Sequence, residues 1–267
     1  MPIEQRKADQ VAIFLFAHQD DEFGVYQQIL AERQLGRRIV CAYFTSGVPQ
    51  GSNPAHRNHE SLAVLGQLGV LPEDVVFAGE RLDIADGKLI YSLQTASVWA
   101  QSWLTSFLSI GAVYVPAWEG GHPDHDGLHA LAIQLCTEQG MAACLRQFPL
   151  YNAFRCPPPF FRILTPLSGN GTVSTTRIPW RHRIRFLGYA LSYPSQRGSW
   201  IGLFPFLLLH YVLFGTQALQ GTSRQRILQR PHDGLLYYEH RRFSTWTSLN
   251  ARILAWLASR PSGTEIR

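Results

Sequence analysis

Residues 11–17 (VAIFLFA) are apolar without a break, and the run ends abruptly in the polar cluster His18-Gln19-Asp20-Asp21-Glu22. A strand with one wet face alternates apolar and polar residues. An unbroken run of this length reads as a strand covered on both faces, as in a parallel sheet. The pattern then alternates. Phe23, Tyr26, Ile29, Leu30 and Leu35 fall near a helical period. Residues 39–44 (IVCAYF) form a second strand, ending in the turn-rich TSGVPQGSNP. Residues 55–69 read as a helix stopped by Gly69, 75–78 as a short strand, Asp86-Gly87 as a turn and 93–109 as a helix. A further buried strand (AVYVP) covers 112–116, followed by a helix near 127–139 and a strand around 146–154. Strands alternating with helices predict an α/β fold with a doubly wound, mostly parallel sheet. Right-handed crossovers put all the strand carboxyl ends on one edge.

Beyond residue 155 the pattern loosens. CPPPF is a breaker, TPLSGNGTVSTTR reads as a hairpin or loop, and 184–192 and 203–219 are helix-like. No internal repeat or low-complexity linker interrupts the chain. The expectation is one domain over 1–267, with a core at 1–154 and a C-terminal elaboration at 155–267 shaping the substrate site. A semi-independent cap is the other reading of that tail.

Charge is unevenly spread. Residues 1–135 hold 8 Lys/Arg and 15 Asp/Glu, a net of −7, and residues 136–267 hold 16 and 4, a net of +12. Carboxylates in the first half suit a metal. Arginines in the second suit an anionic substrate or an acidic membrane surface, or simply solvate irregular surface. No nucleic-acid motif accompanies them, and none is expected as a partner. Cys41, Cys136, Cys144 and Cys156 form no C-x-x-C pair and read as small buried hydrophobes of a reducing compartment. The run at 11–17 is too short for a signal peptide. Residues 200–214 (WIGLFPFLLLHYVLF) carry no formal charge but are shorter than a spanning helix and are interrupted by Pro205 and His210. A buried helix is one reading. Peripheral membrane contact, with Arg181, Arg183 and Arg185 meeting head groups, is the other. A cytoplasmic, or membrane-associated, protein is expected, and the sequence leaves the oligomeric state open.

Two polar clusters directly follow apolar strands: 17–22, and Glu119-Gly120-Gly121-His122-Pro123-Asp124-His125-Asp126. Strand carboxyl ends are where open α/β sheets place ligands. If the two strands are neighbours, the clusters face each other across one crevice. A catalytic zinc takes about three protein ligands and leaves a position for water. His18 and Asp21, three apart on a loop entering a helix, can point at one ion, and His125 can complete the set. Asp20 is then adjacent to the ion and free to act as a base. Any one of these residues could instead be a helix cap or turn residue; two clusters at equivalent points are harder to dismiss.

His18-x-Asp20-Asp21-Glu22 together with His122-Pro123-Asp124-His125 resembles the PIG-L/LmbE-like deacetylase superfamily. Its motifs usually read AHPDDE and HPDH, so Gln19 stands where proline is usual. Thr45-Ser46-Gly47, Arg57, Glu60 and Leu65-Gly66 add to the resemblance, which covers roughly residues 10–135. It implies a Rossmann-like fold and hydrolysis of the N-acetyl group of an N-acetylglucosamine-type sugar, free or lipid-linked. It also implies Zn2+ on His18, Asp21 and His125, with Asp20 as general base. His122 would be general acid or oxyanion stabiliser, and Asp124 would orient His122. Arg57 would hold sugar hydroxyls or a phosphate, and Asp86 a sugar. Tyr193, Ser195 and Gln196 resemble a feature of the active-site rim. The Arg224–Arg242 stretch, with Tyr237, Tyr238, His232 and His240, reads either as a phosphate or lipid-linked sugar site or as solvated surface. The alternative to an enzyme is a catalytically inactive sugar- or metal-binding module of the same fold. A nucleotide-binding protein is disfavoured, since no G-x-G-x-x-G follows the first strand.

Overall fold

The computed structural model describes residues 10–157 and 159–260. Strand β1 (Val11–Phe16) is buried along its whole length. Its side chains alternate between two cores, with Val11, Ile13 and Leu15 in one and Ala12, Phe14 and Phe16 in the other. That double burial is why the run tolerates no polar residue. β1 pairs in parallel with β2 (Arg38–Tyr43) on one side and β4 (Ile110–Pro116) on the other. Parallel strands β3 (Val75–Phe77) and β5 (Leu145–Phe148) flank these.

Beyond β5 the sheet turns antiparallel, through β9 (Thr216–Gly221) and then β8 (Val173–Arg177). The full order is β3-β2-β1-β4-β5-β9-β8, and β6 (Tyr151–Asn152) with β7 (Arg162–Ile163) forms a separate ribbon. Helices α1 (Tyr26–Gln34), α2 (Ala55–Gln67), α5 (Trp180–Ala190) and α6 (Arg197–Leu213) cover one face. Helices α3 (Leu93–Thr105), α4 (Pro123–Glu138) and α7 (Trp246–Ser259) cover the other. The chain winds from β1 toward β3 and, after returning, from β4 toward β5. The β1/β4 boundary is therefore the topological switch point, where such sheets open a crevice.

The doubly wound α/β class is as expected; four local readings change. The strand expected at 146–154 is two, because Pro149 has no N–H to continue the ladder. Helix α4 begins at Pro123 rather than near 127: proline suits the first helical position, and His122 serves as its N-cap. The helix expected at 203–219 spans 197–213 and continues through Pro205. It ends before Gly215, whose φ of +57° suits glycine, and the chain then becomes β9. The TPLSGNGTVSTTR loop contains β8, whose partner β9 lies about forty residues on, beyond the reach of a local pattern. Cys41 and Cys136 are buried, whereas Cys144 and Cys156 are partly exposed, and all four are free. The expected domain bounds at 1 and 267 lie outside the described residues. Among the described residues no helix is long and apolar enough to cross a membrane.

Candidate active site

The 17–22 and 119–126 clusters leave β1 and β4 side by side. The first loop turns sharply: Asp20 sits at φ 112°, and its N–H donates to Glu22 Oε2 at 2.8 Å. Glu22 is fully buried and also accepts from the Tyr43 hydroxyl. Asp21 Oδ2 accepts from the backbone N–H groups of Ala17 (2.9 Å) and His18 (2.8 Å). The loop is thus folded around its own carboxylates, and the other oxygen of Asp21 is left facing the crevice.

Asp21 Oδ1 lies 3.0 Å from His125 Nε2, and His125 Nε2 lies 3.2 Å from His18 Nδ1. His18 Nδ1 lies 3.8 Å from Asp21 Oδ2. Donors bound tetrahedrally to zinc at about 2.0–2.1 Å stand about 3.3 Å from one another. All three residues are buried. Sequence placed them on one ion, and the structure brings their donor atoms together.

His18 Nε2 faces the other way, 3.1 Å from Asp124 Oδ2 and 3.2 Å from Asp86 Oδ1. This makes a second group of metal-capable atoms, from His18, Asp86, His122 and Asp124. Asp124 is fully buried and accepts from the N–H groups of Gly87 (2.6 Å) and Leu89 (3.0 Å). Its carboxylate is 3.9 Å from His122 Nδ1, beyond hydrogen-bond range. Asp124 therefore rests on His18, not on His122 as the resemblance implied. His122 is oriented by the helix instead: its Nδ1 accepts from Asp124 N at 3.3 Å. In the neutral ring the proton then sits on Nε2, which stands 3.8 Å from Asp86 at the pocket wall.

Arg57 is tied into the site by hydrogen bonds of its own. It is only 5% exposed, and donates Nη1 to the Gly47 carbonyl and Nη2 to the Gln19 carbonyl at 2.5 Å. Nη2 is 3.4 Å from Asp20 Oδ1. It lines the pocket, but these donors are committed to the two loops and to Asp20 rather than to a sugar. Gln19, in the usual proline position, donates to Ser46 O at 3.2 Å and Asn58 Oδ1 at 2.6 Å, holding the same loops together.

The titration of these groups follows from their surroundings. Burial pushes the Asp20 carboxyl up to about 8, with Arg57 opposing. Burial would also raise Asp21, but His125 and His18 outweigh it and hold that carboxyl well below the carboxylate range. Burial disfavours a charged His18, yet Asp86, Asp124 and Asp21 lift its pKa well above the ordinary imidazole value. A site that draws a proton this strongly is one that welcomes a cation. Burial and then His18 push His122 down to about 4.

The pocket over these groups has a volume of about 240 Å³. Its far wall comes from the C-terminal region: Gly198, Ser199, Gly202 and Leu203 at the start of α6, with Tyr237, Arg241 and Phe243. Tyr151 completes it. Tyr237 and Arg241 fall within the arginine-rich stretch singled out above, whereas Tyr238 is buried in the core. Arg226 and Arg230 bond internally, to Asn170 and Glu239. In the YPSQ segment Ser195 N donates to Glu60 at 2.9 Å and Gln196 reaches the pocket. Sequence reading gave no role to Glu22 or Glu119. Glu119 accepts from Leu150 N (2.6 Å), Tyr151 N (3.0 Å) and Asn152 Nδ2 (3.0 Å), so it fixes the β5–β6 connection.

The fold and site define an α/β protein with a doubly wound sheet whose switch point gathers buried histidines and carboxylates that could hold a metal ion. A family model described as PIG-L: GlcNAc-PI de-N-acetylase matches residues 13–136, the segment that carries both loops, so this part of the chain is similar to that family. Among curated proteins, no relative matches by sequence. Solved structures share the fold. The antimicrobial-reagent pseudoaglycone deacetylase Dbv21 is 16% identical with a TM-score of 0.57, over 81% of this chain and 98% of that one. The zinc-inhibited form of teicoplanin deacetylase is 16% identical with a TM-score of 0.56, over 79% and 98%. The N,N'-diacetylchitobiose deacetylase from Pyrococcus horikoshii is 15% identical with a TM-score of 0.56, over 80% and 83%.

Proposed function

We propose that this protein is a metal-dependent hydrolase that removes the N-acetyl group from an N-acetylglucosamine-type sugar. The observation carrying this reading is the trio His18, Asp21 and His125, each of which offers one ligand atom within 4.8 Å of the others, with His125 Nε2 3.2 Å from His18 Nδ1 and 3.0 Å from Asp21 Oδ1. Asp20 and His122 line the same pocket. The mixed nitrogen and oxygen donor set suits zinc, and one structural neighbour is known in a zinc-inhibited form. The trio is preferred to the group around Asp86 because backbone N–H groups occupy both oxygens of Asp124, whereas the two that Asp21 accepts both fall on Oδ2 and leave Oδ1 for the ion. Asp124 then serves as the carboxylate behind His18, fixing the tautomer that leaves Nδ1 free for the ion. Zinc held there would act as a Lewis acid and lower the pKa of water toward about 7.

The chain's own groups do the rest. Asp20, ionised, takes the proton of the attacking water as it adds to the acetamide carbonyl. His122, neutral and carrying its proton on Nε2, donates a hydrogen bond to the carbonyl oxygen as charge develops. The amine leaves with a proton returned through Asp20, and acetate is the second product. Arg57 positions Asp20 between the loops. Asp86, 40% exposed at the side chain, remains the candidate sugar contact. β9 pairing with β5 supports one domain over 1–267, the 155–267 region closing the pocket over the 1–154 core.

The test is amine release from a panel of acetamido sugars, with and without chelator. Release that stops with chelator and returns with zinc supports the reading. Stoichiometric metal without release from any sugar would favour an inert binding module.

A further inference from the structure

Helix α6 is apolar on both faces, but only one is buried. Trp200, Leu207 and Tyr211 enter the core. Ile201, Leu208, Leu209, Val212 and Leu213 point outward, with Ile201 78% and Leu213 62% exposed. With exposed Pro205 they follow the i, i+4, i+7, i+8 spacing of a single helical stripe. Helix α5 packs alongside, its carboxyl end leading into α6. Trp180 and Ile184, with Leu191 just past its end, form a second exposed stripe flanked by exposed Arg181 and Arg185. Leu191, Ile201 and Pro205 border an open groove of about 580 Å³ that joins the two helices.

We propose that this face docks the protein on an anionic lipid surface. Exposed Arg181 and Arg185 flank the face and exposed Arg197 borders its groove, and residues 139–232 contain no aspartate or glutamate to offset them. A positive surround on an apolar face with an exposed tryptophan fits a negatively charged bilayer interface. A second copy of the chain would bring a like-charged face onto this one, which costs stability. The first turns of α6 divide the two sites. Gly198, Ser199 and Gly202 face the catalytic pocket, while Arg197, Ile201 and Pro205 face the groove. A lipid tail in the groove and a sugar in the pocket would be separated by about one helix diameter, roughly 10 Å.

The experiment is flotation of the full chain with vesicles of phosphatidylcholine alone and of an equal phosphatidylcholine–phosphatidylglycerol mixture. Binding to the mixture and little to phosphatidylcholine alone is expected. Ile201→Asp/Leu209→Asp/Leu213→Asp should weaken it roughly tenfold or more. Arg181→Gln/Arg185→Gln should weaken it about fivefold per arginine removed. Both variants should retain the unfolding midpoint of the parent and its rate on a water-soluble acetamido sugar. Failure of the parent to float with either vesicle would overturn the docking. So would a dimer in solution that the aspartate substitutions dissociate. Amide cleavage plays no part in flotation, so loss of the deacetylase reading would leave this result standing.

Discussion

Asp20 holds its carboxylate on a backbone at φ 112°, a conformation that costs a non-glycine residue about 1–3 kcal/mol. The Glu22 carboxylate on its N–H and the Arg57 guanidinium beside its side chain keep it there. Asp20→Ala should keep the metal and lower kcat by about 10²–10⁴. Metal analysis alongside turnover checks it, and full activity would remove Asp20 as the base. A base works ionised, so kcat/KM should rise with pH through the Asp20 pKa. Burial sets that pKa near 8 in the metal-free protein, and a bound dication would bring it down. Arg57 lowers it too, so Arg57→Met should move the acid limb to higher pH; an unmoved limb would show that Arg57 does not act on Asp20. Asp124 and His122 separate in the same way. Asp124→Ala should weaken metal binding roughly 10–100-fold. His122→Ala should leave metal binding intact and cost about 10²–10³ in kcat. The sequence placed both residues in the site, but which imidazole Asp124 meets depends on how Gly87 and Leu89 pin its carboxylate from another loop. No spacing in the motif contains that.

At the level of elements, the loop after β4 is held by carboxylates that do no chemistry. Asp126 accepts from Glu119 N and Gly120 N, both at 3.2 Å, and Glu119 gathers three donors from the β5–β6 connection. Glu119→Ala would strand those donors and should cost about 1–3 kcal/mol in denaturant unfolding. Burial pushes Glu119 up to about 7, so the folded state binds its proton more tightly than the unfolded chain does. Its contribution to stability is therefore fullest below the ordinary glutamate pKa and is lost as pH rises through 7. Glu119→Gln should flatten that part of the stability profile; an unchanged profile would contradict it. Strands β1 and β4 were legible because both faces are dry and the apolar runs leave no choice of period. Helix α7 was not read, although Leu249, Ile253 and Trp256 repeat at helical spacing and Thr245 caps it through Ser248 N at 3.2 Å. The helical reading of 203–219 takes in most of β9 because TQALQG has no strand-like alternation of its own and only Gly215 divides it from α6.

For the whole molecule, the decisive fact is that β1 and β4 are adjacent at the point where the winding reverses. Adjacency turns two motifs a hundred residues apart into one crevice; the alternation of strands and helices puts both motifs on one edge of the sheet but leaves open whether the two strands are neighbours. The wall opposite the proposed ligands is legible only in outline, as the work of the C-terminal region and of the stretch that holds Tyr237 and Arg241. Gly202, Tyr237 and Phe243 meet only after β8 and β9 have extended the sheet and α6 has packed against it, and none belongs to a periodic pattern. The most direct measurement is anomalous diffraction at the zinc edge from crystals grown with the metal. The account predicts one strong peak about 2.0–2.2 Å from His18 Nδ1, Asp21 and His125 Nε2. A peak among His18 Nε2, Asp86, His122 and Asp124, or none at either place, would contradict it.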